Sequence, residues 1–414
     1  MKIKSILLPL AAVCGVVSAD AAPLSPQQAL DRVNSSKVKK IAGKIAKDAR
    51  PVYTSKTASG TAGAYLFSSK DYGFVILSAD DIAYPVLGYG DGYFSNEKEI
   101  SPELKWWLEE YSRQIEWSVN KGETSVPTRS AGDASWTAVQ PLLKTLWNQD
   151  APYNNMCPGA TTENPPAGSP RAVTGCVATS MAQAMKYFNY PEKGTGGVIY
   201  TPSKLGYKLM MRFADQAFDW DNMLNSYNYG SYTDVQADAV AYLMKACGYS
   251  VNMNYGLDVS GATGSAIATS MRQYFKYDIN TTDRRRLVYT SDEWAAMVYD
   301  NLKNIGPVII NGQSPLEGGH SFVCDGYDGK GYFHFNWGWG GIANGYYSLD
   351  ALNPDAQGIG GAVGGFNFYQ NAIFGIQPPK GEQIPNPALM IQYGSLMATL
   401  SGKTLSLTTS AYES

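Results

Sequence analysis

Apolar and polar residues alternate in short runs through the first third of the chain, between two segments with helical periodicity. The first segment lies within residues 26–49, where apolar residues at helical spacing predict a short amphipathic helix: Val38, Ile41, Ile45 and Ala49. Turns rich in glycine, serine and aspartate then separate four strand-like runs, at 51–56, 63–68, 73–78 and 84–88. A second helix is predicted over 101–120, because Ser101 suits the N-cap and Pro102 the first turn. Together these elements predict a small α+β unit.

Two polar stretches divide the chain beyond this unit. Residues 119–135 are small and polar, which is typical of an exposed linker that proteases cut. A second polar stretch begins at Pro379, and the residues after it alternate as strands do. The predicted division is therefore a first domain with its linker at 22–130, a main domain at 131–378 and a β-rich tail of unassigned role at 379–414.

The first 21 residues have the composition of a signal peptide. Two lysines precede an apolar run over 6–17, and small residues suited to signal-peptide cleavage follow. The run is too short to cross a bilayer as a helix. We therefore expect an exported protein from which residues 1–21 are removed. Cys14 leaves open a lipoprotein anchor, which is disfavoured because the bulky Val13 stands where a small residue is expected.

Composition and charge exclude several classes of function. Hydrophobic residues make up 44% and charged residues 17% of the chain, which is typical of a globular protein. The net charge is −3 and no strongly basic run occurs, so nucleic acids and anionic membranes are not expected partners. Four cysteines lie beyond the signal peptide, too few for a disulfide scaffold: Cys157, Cys176, Cys247 and Cys324. A disulfide between Cys157 and Cys247 stays open, and no clustered ligands predict a metal or another cofactor.

A cysteine at a predicted helix start is the first candidate for chemistry. Apolar residues recur at helical spacing from Val177 to Phe188, and Gly175 interrupts the pattern on the N-terminal side. The free amides and the dipole of a helix N-terminus stabilise a thiolate, so Cys176 suits a nucleophile. The alternative is a small structural residue at a helix start, and position alone favours that alternative.

His320 changes that balance. It follows Gly318 and Gly319, which leave room for a substrate backbone beside the imidazole, and it opens a strand-like run. A histidine far downstream of a nucleophilic cysteine is the chain order of papain-like enzymes. The chain has one other histidine, His334, which we interpret as structural.

Asn336 is the candidate for the third member of a triad. A glycine-rich turn around Asp328 joins the strand-like run that begins at His320 to the run that holds Asn336, which predicts a hairpin. With Asp328 at the centre, His320 pairs with Asn336, and His334 pairs with Phe322. A neutral amide there would orient the imidazole, as in a Cys-His-Asn triad. A turn of even length would instead place the two side chains on opposite faces.

An oxyanion hole requires fixed hydrogen-bond donors near the nucleophile. The backbone N–H of Cys176 supplies one donor at the start of its helix. The side-chain amide of Gln149 is the candidate for the second, although an ordinary polar loop residue is the simpler interpretation of Gln149 taken alone.

Four motifs in this order resemble those of the streptopain family of bacterial cysteine proteases, which have a papain-like fold. The motifs are LLKTLWNQDAPYN at 142–154, AVTGCVATSMAQAMKYFNYP at 172–191, GGHSFVCDGYDG at 318–329 and YFHFNWGWGGIANGYYSLDALNP at 332–354. The resemblance covers about 135–378, and residues 24–120 resemble, less specifically, the inhibitory propeptide of the family.

The resemblance implies roles for individual residues. It makes Cys176 the nucleophile, His320 the general base, Gln149 the oxyanion donor, Asn336 the orienting amide and Trp337 the ring that shields the His–Asn pair from water. Gly319 and Ala262 match positions that hold the substrate chain, although Ala262 stands where the best-known member of the family has serine. The S2 pocket is expected to take an apolar side chain.

The sequence thus predicts a papain-like α+β cysteine protease domain preceded by a small α+β inhibitory pro-domain. The expected protein is a secreted endopeptidase made as a zymogen, with protein or peptide substrates and its own pro-domain as an intramolecular inhibitor. No cofactor, nucleic acid or membrane span enters the prediction. Two alternatives remain: a cell-wall amidase, for which no wall-binding repeat is visible, and a non-catalytic binding protein that keeps the fold.

Overall fold

The computed structural model describes residues 22–34, 45, 48–121, 136–228, 230–314, 318–350 and 370–381, together with four strands within 389–413. The predicted signal peptide and most of the predicted linker lie outside these residues. The same holds for Val38 and Ile41 of the first predicted helix.

The described part of the chain contains both helices and strands. Its α-helices are α1 (Pro26–Asn34), α2 (Pro102–Asn120), α3 (Cys176–Phe188), α4 (Asp234–Ser250), α5 (Ala266–Phe275) and α6 (Ser291–Asn304). Short 3-10 helices span Glu97–Glu99, Trp220–Asn222 and Arg286–Val288. The strands before α6 are β1 (Tyr53–Lys56), β2 (Ala62–Ser69), β3 (Gly73–Ser78), β4 (Val86–Gly90), β5 (Gly197–Tyr200), β6 (Leu209–Arg212) and β7 (Thr282–Arg285). The strands after it are β8 (Val308–Ser314), β9 (Gly318–Tyr327), β10 (Phe333–Asn336), β11 (Gly345–Tyr347), β12 (Gln370–Phe374), β13 (Leu389–Ile391), β14 (Met397–Ser401), β15 (Thr404–Thr408) and β16 (Ala411–Glu413).

The second predicted helix is confirmed, whereas the first is described only over Pro26–Asn34, and its predicted positions Val38 and Ile41 lie outside the described residues. Helix α2 begins after Ser101, whose side chain accepts a hydrogen bond from the backbone N–H of Leu104 at 3.2 Å. Helix α1 ends at Asn34, and Ile45 and Ala49 do not lie in a helix. Ser25 and Gln28 cap the start of α1 by reciprocal hydrogen bonds.

Strands from both predicted domains form one antiparallel sheet. Its ten strands follow the order β1-β2-β3-β4-β11-β10-β9-β8-β12-β7. The junction is the pair β4–β11, where Tyr89 lies opposite Tyr346 and Gly88 opposite Tyr347. The segment predicted as a pro-domain is therefore joined to the main domain by backbone hydrogen bonds as well as by side-chain packing.

Helices α2 and α3 cover opposite faces of the sheet at β9. Alternate residues of β9 point to opposite faces. Val323 belongs to the core that includes α3, whereas Phe322 belongs to the core that includes α2. On the α2 side, the ring centroid of Trp107 lies 5.6 Å from that of Phe322. The start of β9 is thus held between the helix that begins at Cys176 and the helix of the first domain.

The hairpin β9–β10 forms, but the predicted register is wrong. Asn336 pairs with Val323 rather than with His320, which pairs with Gly312 on the other neighbouring strand, β8. Because the residues of a strand alternate between its faces, this difference separates the side chains of His320 and Asn336.

The turn between β9 and β10 explains the difference. The carboxylate of Asp328 accepts hydrogen bonds from the backbone N–H groups of Lys330 and Tyr332, at 2.6 and 3.0 Å. Asp328 therefore opens the turn instead of lying at its centre, and β9 continues to Tyr327. His334 pairs with Gly326, not with Phe322, and a bulge directly after His334 shifts the register again.

The four cysteines after residue 21 are all free. Cys157, Cys247 and Cys324 are buried, so the possible disulfide between Cys157 and Cys247 does not form.

In the tail, β13 pairs with β16 and β14 with β15, which agrees with the strand pattern predicted there. Among the described residues, no helix is both long enough and apolar enough to cross a membrane.

Candidate active site

The backbone turn before α3 presents Cys176 as the first residue of the helix. Gly175 has φ 84°, in the left-handed region that favours glycine. A Cβ atom at this position would also lie 2.9 Å from the side chain of Met253. The next residues of the helix, from Val177 to Met185, are buried, whereas Cys176 is partly exposed. The chain therefore places one partly exposed cysteine at a helix N-terminus.

A cleft brings together five of the seven predicted site residues. Its volume is about 610 Å³, and the predicted residues that line it are Cys176, His320, Gln149, Gly319 and Ala262. Trp339 lines the same cleft, and the sequence analysis missed it. Trp339 lies in a motif with two tryptophans, and sequence alone does not tell which one faces the cleft. Asn336 and Trp337 do not line it.

The thiol of Cys176 is not paired with the imidazole in this structure. Its Sγ atom lies 4.0 Å from the carbonyl oxygen of Gly319. Within the described residues, no hydrogen bond joins Cys176 to His320. Burial raises the pKa of Cys176 to about 12, and the Glu103 carboxylate raises it too, although backbone N–H groups, beginning with that of Ser321, act to lower it. At neutral pH the group is therefore a thiol in this state.

His320 is held instead by helix α2 of the first domain. Its Nδ1 atom lies 3.8 Å from Oε1 of Glu103, and its ring centroid lies 5.9 Å from that of Trp106. The other ring nitrogen, Nε2, has no hydrogen-bond partner among the residues that the structure describes. The expected base thus faces a carboxylate and an indole ring of the first domain rather than the expected nucleophile.

The two residues of α2 at this contact are deeply buried. Glu103 is 3% exposed and Trp106 is fully buried. The Trp106 ring lies against Gly312, where a Cβ atom would approach a ring carbon to 1.9 Å. Because Gly312 pairs with His320, the missing side chain on β8 is what lets α2 lie beside the histidine. Sequence analysis did not single out Glu103 or Trp106, since nothing in a helix pattern tells which face will meet His320.

Asn336 and Trp337 lie behind the cleft. Oδ1 of Asn336 accepts hydrogen bonds from Gln183 at 3.2 Å and from the backbone N–H of Gly338 at 3.1 Å. Its Nδ2 donates to the carbonyl oxygen of Thr145 at 2.8 Å. The Trp337 ring is 1% exposed. In this state Asn336 therefore anchors the loop before the cleft and the end of β10.

His334 makes a contact of its own away from the cleft. Its Nδ1 atom lies 2.6 Å from Oδ1 of Asp325, a fully buried carboxylate whose other oxygen accepts from the backbone N–H of Leu143. This geometry agrees with the structural interpretation of His334. Among the described residues, no group of three or more His, Cys, Asp or Glu side chains is placed to hold a metal ion.

Sequence comparisons match two separate parts of the chain to different families. The peptidase C10 family matches residues 147–347, and the Spi protease inhibitor family matches residues 17–115. Streptopain of Streptococcus pyogenes is 36% identical over 332 residues, which are 76% of this chain and 80% of streptopain. The thiol protease/hemagglutinin PrtT of Porphyromonas gingivalis is 31% identical over 351 residues, 81% of this chain but 39% of that protein.

A solved structure resembles most of the chain. A fragment of prointerpain A from Prevotella intermedia superposes with a TM-score of 0.65 at 33% identity, covering 80% of this chain and 98% of the fragment. The prediction of an α+β protease fold with a preceding inhibitory pro-domain is confirmed by this match together with the inhibitor match. The roles of individual site residues and the domain boundaries stay predictions.

Proposed function

The chain belongs to the peptidase C10 family of cysteine proteases, and we propose that it is a secreted endopeptidase in its zymogen form, with Cys176 as nucleophile and His320 as general base. The observation that carries the proposal is the cleft that Cys176, at a helix N-terminus, lines together with His320 and Gln149. The predicted signal peptide of the chain, residues 1–21, supports export.

The reaction is acyl transfer from a peptide to the thiol. His320 takes the proton of Cys176, and the thiolate attacks the carbonyl carbon of the scissile bond. The backbone N–H of Cys176 and the side-chain amide of Gln149 stabilise the oxyanion. His320 then returns the proton to the leaving amine, and a water molecule, activated by the same imidazole, hydrolyses the thioester.

Asn336 and Trp337 support the base in this proposal. For Asn336 to orient His320, its Oδ1 atom must accept from the imidazole, although here it accepts from Gln183 and Gly338. Formation of the active site therefore includes a change of partner at Asn336. Trp337 is fully packed between aromatic rings, which suits a residue that keeps water from the His–Asn pair.

The first domain inhibits in two ways: it binds the side chain of His320, and it covers the cleft. Pro102 and Glu103, at the start of α2, line the cleft beside Cys176. The Glu103 carboxylate lies beside His320 and draws the imidazole away from Cys176. It also raises the pKa of Cys176, which disfavours the thiolate. Cleavage in the predicted linker, 119–135, would let α2 leave and let His320 turn to Cys176. Protein and peptide substrates then enter the same cleft.

Replacing Cys176 with alanine in the full chain tests the proposal. We expect loss of self-processing, of casein cleavage and of labelling by an epoxide probe for cysteine proteases. The matched control is Cys157→Ala, which removes a buried thiol and leaves labelling intact. A processed, casein-cleaving Cys176→Ala protein would overturn the assignment. Release of peptidoglycan fragments without casein cleavage would favour the amidase alternative.

A further inference from the structure

Helix α3 carries a polar stripe, formed by Cys176, Ser180 and Gln183, along one of its faces. Ser180 and Gln183 follow the cysteine at i+4 and i+7, the spacing of neighbours on one side of a helix. Ser180 is 2% exposed and Gln183 is fully buried. Burial of a polar side chain is costly unless the side chain is hydrogen-bonded, so the partners of the polar stripe identify what it holds in place.

The first two residues of the polar stripe contact the residues on either side of His320. Sγ of Cys176 lies 4.0 Å from the carbonyl oxygen of Gly319. Oγ of Ser180 lies 2.7 Å from Oγ of Ser321, and both hydroxyl groups are buried. Because alternate residues of a strand point to opposite faces, Ser321 faces α3 while His320 faces α2. The backbone of the proposed base is therefore held against the helix of the proposed nucleophile.

Gln183 closes a hydrogen-bonded ring with Asn336 and Thr145. Nε2 of Gln183 donates to Oδ1 of Asn336 at 3.2 Å, and Oε1 of Gln183 accepts from Oγ1 of Thr145 at 2.8 Å. Nδ2 of Asn336 donates to the carbonyl oxygen of Thr145 at 2.8 Å. All three side chains are buried. Because a carbonyl oxygen only accepts, Thr145 determines which end of the Asn336 amide is Nδ2, and the orientation of the Gln183 amide follows.

The hydrogen-bonded ring joins three segments that carry the proposed machinery. Thr145 lies in the segment that leads to Gln149, the proposed oxyanion donor. Gln183 lies about two turns after Cys176 on α3, and Asn336 is the last residue of β10. An apolar side chain in place of Gln183 would fill the same space without fixing the distances between these segments. A fully paired buried network of this kind specifies one arrangement of the elements that it joins.

We propose that Ser180 and Gln183 are positioning residues, which fix α3 relative to the two strands that carry His320 and Asn336. This proposal rests on the proposed function, and it adds roles for two residues that do not line the cleft. Both contacts exist in the precursor, so departure of α2 leaves the backbone of His320 in place and requires only its side chain to turn. The imidazole then takes the lone pair of Oδ1 that the N–H of Gly338 uses now, and Gln183 keeps the other.

Peptide cleavage by the processed enzyme tests the proposal, with kcat expressed per active site titrated by the epoxide probe. Gln183→Met keeps the length of the side chain but removes the amide, so kcat should fall about tenfold or more with little change in KM. Ser180→Ala should lower kcat by a smaller factor. The matched control is Ser270→Ala, which removes a buried hydroxyl that donates to the carbonyl oxygen of Ser250 at 2.8 Å and does not line the cleft. Its kcat should be unchanged.

Double variants separate positioning from a general loss of stability. If Gln183 acts through Asn336, Gln183→Met should lower kcat little further once Asn336→Ala is present. Ser180→Ala should likewise add little to Ser321→Ala, and this pair keeps the test available if Gln183→Met does not fold.

An unchanged kcat in Gln183→Met or in Ser180→Ala would overturn the role of that residue. Effects that multiply in the double variants would overturn it too, because the residue would then not act through its partner. Failure of the proposed function is a different outcome, since it would appear as peptide cleavage that survives Cys176→Ala.

Discussion

Oε1 of Glu103 lies 3.8 Å from Nδ1 of His320, so a carboxylate of the first domain occupies the place beside the base that catalysis would give to the nucleophile or to an orienting amide. The same carboxylate raises the pKa of Cys176. One side chain thus acts on both members of the proposed pair. The proposed inhibition therefore combines steric cover of the cleft with an electrostatic block.

The Trp106 contact should set how firmly α2 is bound. Trp106→Ala removes a fully buried ring next to Gly312 and His320, and we expect a loss of about 3–5 kcal/mol in the stability of the precursor. The zymogen should therefore process faster, as followed by electrophoresis over time. The control is Trp117→Ala, on the same helix but partly exposed, which should change the rate little. Equal rates for the two variants would contradict the role given to Trp106.

Reactivity of Cys176 should change when the first domain leaves. In the precursor, burial first and Glu103 second hold the pKa of the thiol near 12, so alkylation by iodoacetamide should be slow at neutral pH. Removal of the first domain takes away the carboxylate and part of the burial, so the rate at pH 7 should rise by more than tenfold. Glu103→Gln in the precursor should give a smaller rise. Equal alkylation rates before and after processing would count against the electrostatic part of the block.

Glu110 should make the first domain more stable in mild acid. Burial raises its pKa from 4.5 to about 7, and the Arg113 guanidinium only partly offsets this rise. A raised folded-state pKa means that stability is fully present below about pH 4.5 and is lost as the pH rises through about 7, by at most about 3 kcal/mol. Melting of the Cys176→Ala precursor should show this slope between those pH values. Glu110→Gln should flatten it, and a slope that persists in this variant would assign the effect to another group.

The turn before α3 should be essential for activity. Gly175→Ala forces a side chain into a positive-φ position and against Met253, so we expect it to displace Cys176 and to lower kcat/KM at least a hundredfold. Gly168→Ala is the matched control, since Gly168 also has a positive φ but has no atom within 4 Å of the added Cβ. Both variants carry similar backbone strain. If Gly175→Ala kept the same kcat/KM as Gly168→Ala, the placement of the thiol by this turn would not matter for activity.

Sequence patterns predicted the local structure well and the long-range contacts poorly. Helix α2 followed from its cap at Ser101, and the cysteine at the start of α3 followed from Gly175 and the apolar repeat. The register of the β9–β10 hairpin could not be predicted, because one Asp328 carboxylate and one bulge decide it. The hydrogen bonds of Asp328 and the bulge each depend on the positions of a few atoms, which the pattern of apolar and polar residues does not reveal.

The contact between α2 and His320 lay beyond sequence reasoning for a different reason. It joins residues distant in the chain, and it requires Gly312 to lack a side chain opposite Trp106. Asn311 and Gln370 give a similar example, since they look like ordinary strand residues in the sequence, and only the fold shows that their side-chain amides are buried with unpaired atoms.

A crystal structure of the processed enzyme would test the central claim most directly. The measurement is the distance between Sγ of Cys176 and the nearer ring nitrogen of His320 once α2 is gone. We predict that the imidazole lies within hydrogen-bond reach of the thiol, with Asn336 hydrogen-bonded to its other nitrogen. A His320 ring that stays in its present position, out of reach of Cys176 in an enzyme that cleaves casein, would contradict the proposed pair.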